Sequence, residues 1–129
     1  MRRRVLILED EAMLALVLAD IVRSAGLEVV GPARSREEAL RLLTVETPTL
    51  ALVDYCLADG PCDGVCDVLS ASGIPFLWLT GFDPAELPPG AESVFRKPID
   101  VEALLLSLRL HATARPLESA GAGDGLAVD

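Results

Sequence analysis

Val5-Leu6-Ile7-Leu8-Glu9-Asp10-Glu11 is an apolar run of four residues stopped by three acids, and a different period takes over immediately after it. From Glu11 to Ala25 the residues Leu14, Leu18, Ile21 and Val22 recur at steps of three and four, the pattern of a helix with one buried stripe. Gly26 stands where a left-handed cap closes such a helix. A strand followed by a helix is then repeated along the chain. Short apolar runs occupy residues 28–30, 50–53, 76–79 and 93–95, separated by segments with helical character. Ser35 and Glu38 have the spacing of a capping box, Ala39, Leu42 and Leu43 supply that helix with an apolar face, and Pro48 forbids its continuation. A third helix is expected over residues 64–70, ended near Gly73 and Pro75. The fourth helical slot, residues 83–92, is crowded by Pro84, Pro88, Pro89 and Gly90 and has room for one turn or an irregular loop. Asp100 caps a last helix whose Leu104, Leu105, Leu108 and His111 share a face.

Alternation this regular predicts an α/β fold, a doubly wound parallel sheet of five strands with helices on both faces. Right-handed crossovers make the flavodoxin-like order 2-1-3-4-5 the economical topology. Residues 1–115 form the expected domain, and residues 116–129, mostly Ala, Gly and Asp after Pro116, a flexible tail.

The chain has 129 residues, 20 acidic and 11 basic, with a formal net charge of −9. With 51% hydrophobic and 24% charged residues it has the composition of a packed domain rather than a disordered chain. Its acidity argues against a nucleic-acid surface, which needs clustered Lys and Arg. The longest uncharged run, residues 68–82, is interrupted by Gly73, Pro75 and Gly81 and does not read as a membrane span. Three acids follow the first apolar run too soon for a secretory leader, so a cytoplasmic protein is expected. Cys56, Cys62 and Cys66 match no zinc spacing and read as reduced, buried or loop residues.

Ligands of such sheets bind beyond the carboxyl ends of the strands, and the polar residues fall there. Glu9 and Asp10 follow the first strand, Asp54 the third, Thr80 the fourth and Lys97 the fifth. Three converging carboxylates repel one another unless a cation joins them, and oxygen ligands in short supply suit Mg²⁺, with Mn²⁺ an alternative. With Lys97 and Thr80 opposite, the set could clamp a phosphoryl group, and Asp54 is the acid best placed as nucleophile. Each of these residues taken alone is an ordinary cap or turn residue; the chemistry lies in their joint occurrence at successive strand ends.

The segments Leu6-Ile7-Leu8-Glu9-Asp10-Glu11, Leu52-Val53-Asp54-Tyr55-Cys56-Leu57, Leu79-Thr80-Gly81 and Phe95-Arg96-Lys97-Pro98 together resemble the receiver domain of two-component response regulators, over about residues 3–113. The resemblance implies Asp54 as phosphoacceptor, and Glu9 and Asp10 as the acidic pair around Mg²⁺ with the Cys56 backbone carbonyl. It also implies Thr80 and Lys97 on the phosphoryl oxygens, and a cis Lys97–Pro98 peptide. Pro75-Phe76-Leu77-Trp78-Leu79-Thr80-Gly81-Phe82 is similar to the Pro-Phe-x-Phe-Ala-Thr-Gly-Tyr signature of a stand-alone subfamily, often paired with HWE-type kinases.

Two positions depart from the family pattern. Val94 stands where many receivers carry a switching aromatic, and Phe95, one residue on, faces the other way and belongs to the core. Ala58 replaces a common proline.

The expected function is a single-domain response regulator that accepts a phosphoryl group from a sensor histidine kinase. It would signal by protein contact, relay to a histidine phosphotransfer protein or drain phosphate, and would not be a turnover enzyme. A docking pseudo-receiver and an Asp-nucleophile, Mg-dependent phosphatase are the alternatives; the latter lacks a second acid, since Cys56 stands two residues past Asp54. Residues 81–93 are expected to carry the conformational change. Phe82 is placed either to shield an acyl phosphate or simply to pack, and Trp78 to pack near the site. His111 reads as a favourable charge at a helix C-terminus, and residues 2–4 as a solvated start. Oligomeric state is left open.

Overall fold

Side chains of a strand alternate between the two faces of its sheet, and the apolar runs sort their residues accordingly. Leu6, Leu8, Ala51, Val53, Phe76 and Trp78 enter one buried cluster, whereas Val5, Ile7, Leu50, Leu52, Leu77 and Leu79 enter the other. A computed structural model of the protein describes residues 3–57, 59–81 and 83–113. The elements run Arg4–Leu8 (β1), Ala12–Ser24 (α1), Glu28–Ala33 (β2), Arg36–Leu43 (α2), Leu50–Asp54 (β3), Cys56–Leu57 (β4) and Gly60–Pro61 (β5). They continue with Asp63–Ala71 (α3), Phe76–Thr80 (β6), a 3-10 turn at Pro84–Glu86, Ser93–Arg96 (β7) and Val101–Thr113 (α4).

The five long strands are parallel in the order β2-β1-β3-β6-β7, which in chain order is the expected 2-1-3-4-5. Residues of α2 and α3 cover the face carrying Trp78, and residues of α1 and α4 cover the face carrying Leu79. β1, β3 and β6 are buried along most or all of their length, as central strands of a two-sided sheet must be.

The helix ends follow their local chemistry. Gly26, at φ +84°, ends α1 with its N–H on the Arg23 carbonyl, and the Leu27 N–H on the Val22 carbonyl, the paired bonds of a Schellman cap. Ser35 Oγ accepts from the Glu38 N–H at 3.1 Å, but the Glu38 carboxylate reaches one residue further back than a capping box requires, to the Arg34 N–H at 2.9 Å. The Asp100 carboxylate accepts from Ala103 N–H at 3.1 Å.

Three expectations change. β2 runs on to Ala33, through a register irregularity against β1. Arg4 is the first residue of β1 and is paired with Glu28 and Glu46, so the basic start is tied to the sheet. His111 is half-buried, and burial together with the nearby Arg3 pushes its pKa below the usual histidine value, so it does not serve as a helix-end cation. Its Nε2 lies 3.0 Å from Thr49 Oγ1, which is also 3.0 Å from the Arg4 carbonyl. Phe82, Ala58 and the expected tail lie outside the described residues. Among the described residues no helix is long and apolar enough to cross a membrane.

Candidate functional site

The acids meet where the topology places them. Glu9 leaves the end of β1, Asp54 is the last residue of β3, and β1 and β3 are hydrogen-bonded neighbours, so both carboxylates rise from adjacent strands at the same rim. Carboxylate oxygens of Glu9, Asp10 and Asp54 all lie within 4.8 Å of one another. Glu9 is fully buried and Asp54 almost so. β7 follows β6 in register, and the Lys97 N–H bonds the Thr80 carbonyl at 2.7 Å, which brings Lys97 over the same rim. Its Nζ is 3.1 Å from Asp54 Oδ2 and 3.2 Å from Glu9 Oε1. Thr80 is buried at the end of β6, and the Lys97–Pro98 peptide is cis. The structure thus brings Glu9, Asp10, Asp54, Thr80 and Lys97 to one end of the sheet.

The electrostatics of the cluster are those of an anion pocket short of positive charge. Burial pushes the Glu9 carboxyl up to about 7, with Asp54 adding to the rise and the Glu11 N–H and Lys97 opposing it. Burial alone would lower Lys97, but its bonds to Asp54 and Glu9 win and hold the ammonium above its ordinary value. The Lys97 ammonium pairs with two of the three carboxylates, those of Glu9 and Asp54. Glu9 Oε1 is buried without a hydrogen bond, although it lies at ion-pair distance from Lys97. An orphaned buried carboxylate oxygen beside two further acids is the donor set of a hard divalent cation.

Cys56 enters through its backbone. Its N–H points to Asp54 Oδ1 at 3.3 Å, and in an extended strand the carbonyl of a residue leaves on the same edge as its N–H. Its thiol is exposed. Cys62 is buried and donates through Sγ to the Asp54 carbonyl at 3.3 Å; a hydrogen bond with Cys66, together with burial, pushes its thiol pKa up, which marks it as structural rather than reactive.

Several neighbours of the site escaped the sequence reading. Arg34 donates from Nε to the Asp10 carbonyl at 3.1 Å, across a gap of 24 residues that no local pattern reveals. The β4–β5 ribbon after Asp54 carries little local signal: Asp59-Gly60 is a hairpin dipeptide, but the register pairs Gly60 with Leu57 and so places it in β5 rather than in the turn. Trp78 packs edge-on against both Tyr55 and Phe76, at 5.2 and 5.3 Å, and its indole N–H donates to the Pro88 carbonyl at 3.3 Å. The proline-broken segment is thereby pinned to the sheet next to the site. Val94 is paired with Trp78 across the strands and is partly exposed, whereas Phe95 packs into the α1/α4 cluster, as its parity requires.

No protein-family model matches the chain. Among curated proteins it is 33% identical over 115 residues to the transcriptional regulatory protein PdtaR of Mycobacterium tuberculosis, across 84% of this chain and 56% of that protein. The chain therefore spans about half the length of this curated relative. The crystal structure of the response regulator PhyR from Brucella abortus superposes with a TM-score of 0.73 at 34% identity, over 86% of this chain and 49% of that one. The signal receiver domain of a LuxO-type repressor protein from Vibrio parahaemolyticus superposes at 0.81 with 25% identity, over 95% of this chain and 99% of that domain.

Proposed function

The chain belongs to the receiver domains of response regulators, and from that premise we propose that it accepts a phosphoryl group on Asp54 from a sensor histidine kinase, with Mg²⁺ held by Glu9, Asp10, Asp54 and the Cys56 carbonyl. The observation that carries the reading is the convergence of three carboxylates within 4.8 Å, two of them paired with Lys97, with one buried Glu9 oxygen that has the ion pair but no hydrogen bond. In the transfer an Asp54 carboxylate oxygen forms the new bond to phosphorus as the phosphorus–nitrogen bond of the donor phosphohistidine breaks. The imidazole leaves with the electron pair and keeps the proton on its other nitrogen. Bound Mg²⁺ would neutralise charge on the transferring oxygens. Lys97, already 3.1 Å from Asp54, exchanges part of its carboxylate pairing for a phosphoryl oxygen, and the Thr80 hydroxyl offers a donor to another.

A protein donor suits the rim. Met13, Leu16 and Val17 on α1 are exposed, and a groove of about 310 Å³ beside Lys97 and Pro98 is lined by the first and last of them. The added charge acts on residues 81–93, the segment that Trp78 holds, and output passes to a partner protein by contact or ends with phosphate drained from the kinase. The protein is an acceptor that assists its own phosphorylation rather than a turnover enzyme.

Intact mass after incubation with acetyl phosphate and Mg²⁺, and separately with a phosphorylated histidine kinase, tests the reading. One added phosphoryl group, lost in Asp54→Ala and without Mg²⁺, is expected. No added mass from either donor would overturn the reading and leave the docking pseudo-receiver in its place.

A further inference from the structure

Two residues that the reaction itself does not use close a latch around the phosphoacceptor loop. The loop after Asp54 folds back as the β4–β5 ribbon, with Cys56 opposite Pro61 and Leu57 opposite Gly60. Its base is tied by the Cys62 N–H on the Tyr55 carbonyl at 3.0 Å. Antiparallel pairs alternate between exchanging hydrogen bonds and exchanging none, so the Cys56–Pro61 pair exchanges none. Pro61, which has no N–H to give, is at home there, and the polar groups of Cys56 are left to face Asp54. At the tip, Asp59 reaches the first turn of α2. Its carboxylate accepts from the Arg36 N–H at 2.9 Å and the Glu37 N–H at 3.4 Å. The Arg36 guanidinium returns across the tip, its Nη2 on the Asp59 carbonyl and its Nε 3.5 Å from Asp59 Oδ1. Gly60, at φ +122°, lies beneath that guanidinium; a Cβ there would stand 3.3 Å from Nη2. The Arg36 N–H bond leads the causes that hold the Asp59 carboxyl below its ordinary value.

We propose that Arg36 and Asp59 are a positioning pair for the metal site: by fixing the ribbon's tip to α2 they hold the Cys56 carbonyl toward Glu9, Asp10 and Asp54. The inference rests on the metal-assisted reading above. A two-residue ribbon has too few bonds of its own to hold one carbonyl in place, and outer partners of this kind set the affinity of the ligands they orient.

The test uses the full chain and Mn²⁺, with the dissociation constant read from the free-ion paramagnetic resonance signal. Asp59→Ala weakens Mn²⁺ binding by about tenfold, the low end of what such partners contribute. Asp59→Asn, which keeps an oxygen for the Arg36 N–H, restores most of it. Arg36→Leu weakens binding in the same direction and serves where Asp59→Ala does not fold. Ser35→Ala removes the other cap of α2 without touching the ribbon; it lowers Tm and leaves the Mn²⁺ constant unchanged. Folded Asp59→Ala and Arg36→Leu proteins that bind Mn²⁺ like the wild type would overturn the proposal, as would an equal loss in Ser35→Ala. A wild-type protein that binds no Mn²⁺ would overturn the metal reading itself.

Discussion

Replacing Glu9 with glutamine should change how stability depends on pH. Glu9 is fully buried and its carboxyl is pushed up to about 7 from 4.5, mainly by that burial. Between those values the folded protein holds a proton that the unfolded chain has released, so the metal-free fold loses stability as pH rises through the window. At roughly 1.4 kcal/mol for each tenfold in proton affinity, the whole gap is worth about 3 kcal/mol. Most of it falls between pH 5 and 7.5. The side-chain amide of the Glu9→Gln variant does not titrate. Its own packing cost, an NH2 facing the Lys97 ammonium, shifts the variant's curve vertically without tilting it. Urea unfolding followed by Trp78 fluorescence in EDTA, at pH 5 to 8.5, measures both curves. The expected result is a difference between variant and wild type that grows in the variant's favour by about 3 kcal/mol across the range. Contributions from His111 and the surface carboxylates are common to both proteins and cancel. Parallel curves would refute the reasoning, because they would mean that Glu9 is solvated or fully neutralised by Lys97 in the folded state.

Leu104 is fully buried where α4 meets the α1 face of the sheet, and Leu104→Ala should cost about 2–5 kcal/mol in the same urea assay. Trp78→Phe loses the bond to the Pro88 carbonyl and leaves a smaller ring in a buried site, so stability, followed by circular dichroism because the single tryptophan is gone, should fall by at least about 1 kcal/mol. Amide exchange should then quicken selectively in residues 83–92, a region whose protection in the wild type should also differ with and without Mg²⁺ and beryllofluoride. His111 takes up its proton less readily in the folded than in the unfolded state. Stability should therefore fall as pH drops below about 6.5, the unfolded value, and His111→Gln should remove that decline.

The sheet was legible because its information is local. Each buried strand is an apolar run, each helix carries its stripe, and punctuation such as Gly26 and Asp100 lies within a residue or two of the end it marks. The site was legible for the same reason at one remove, since parallel topology converts successive strand ends into a single rim. What escaped depends on pairs distant in sequence. Thr49 and His111 are 62 residues apart, and neither their contact nor the burial that lowers the histidine's pKa has a local signature. Arg36 and Asp59 are 23 residues apart, and the bond joining them has no pattern in either segment. The apolar run 28–30 marks only the first half of β2, because the strand continues through Gly31 and Pro32 to Ala33 after a shift in register that leaves no apolar pattern.

The fourth helical slot shows how one substitution of architecture calls for another. A helix there would cover the Trp78 face of β6 with its own apolar stripe, but prolines and Gly90 leave only the 3-10 turn Pro84–Glu86. Cover must then come from side chains reaching out of the sheet. Trp78 supplies it: its ring fills the face between Tyr55 and Phe76, and its indole N–H satisfies a loop carbonyl that helix bonds would otherwise have taken. Leu87 and Ala91 pack onto the same cluster. With Val94 across the strand too small to swing into the site, Trp78 is a side chain that touches both Tyr55, the residue after Asp54, and Pro88 in the loop after Thr80. Among the described residues, Trp78 thereby offers a packed route from the residue beside Asp54 to the Pro88 carbonyl.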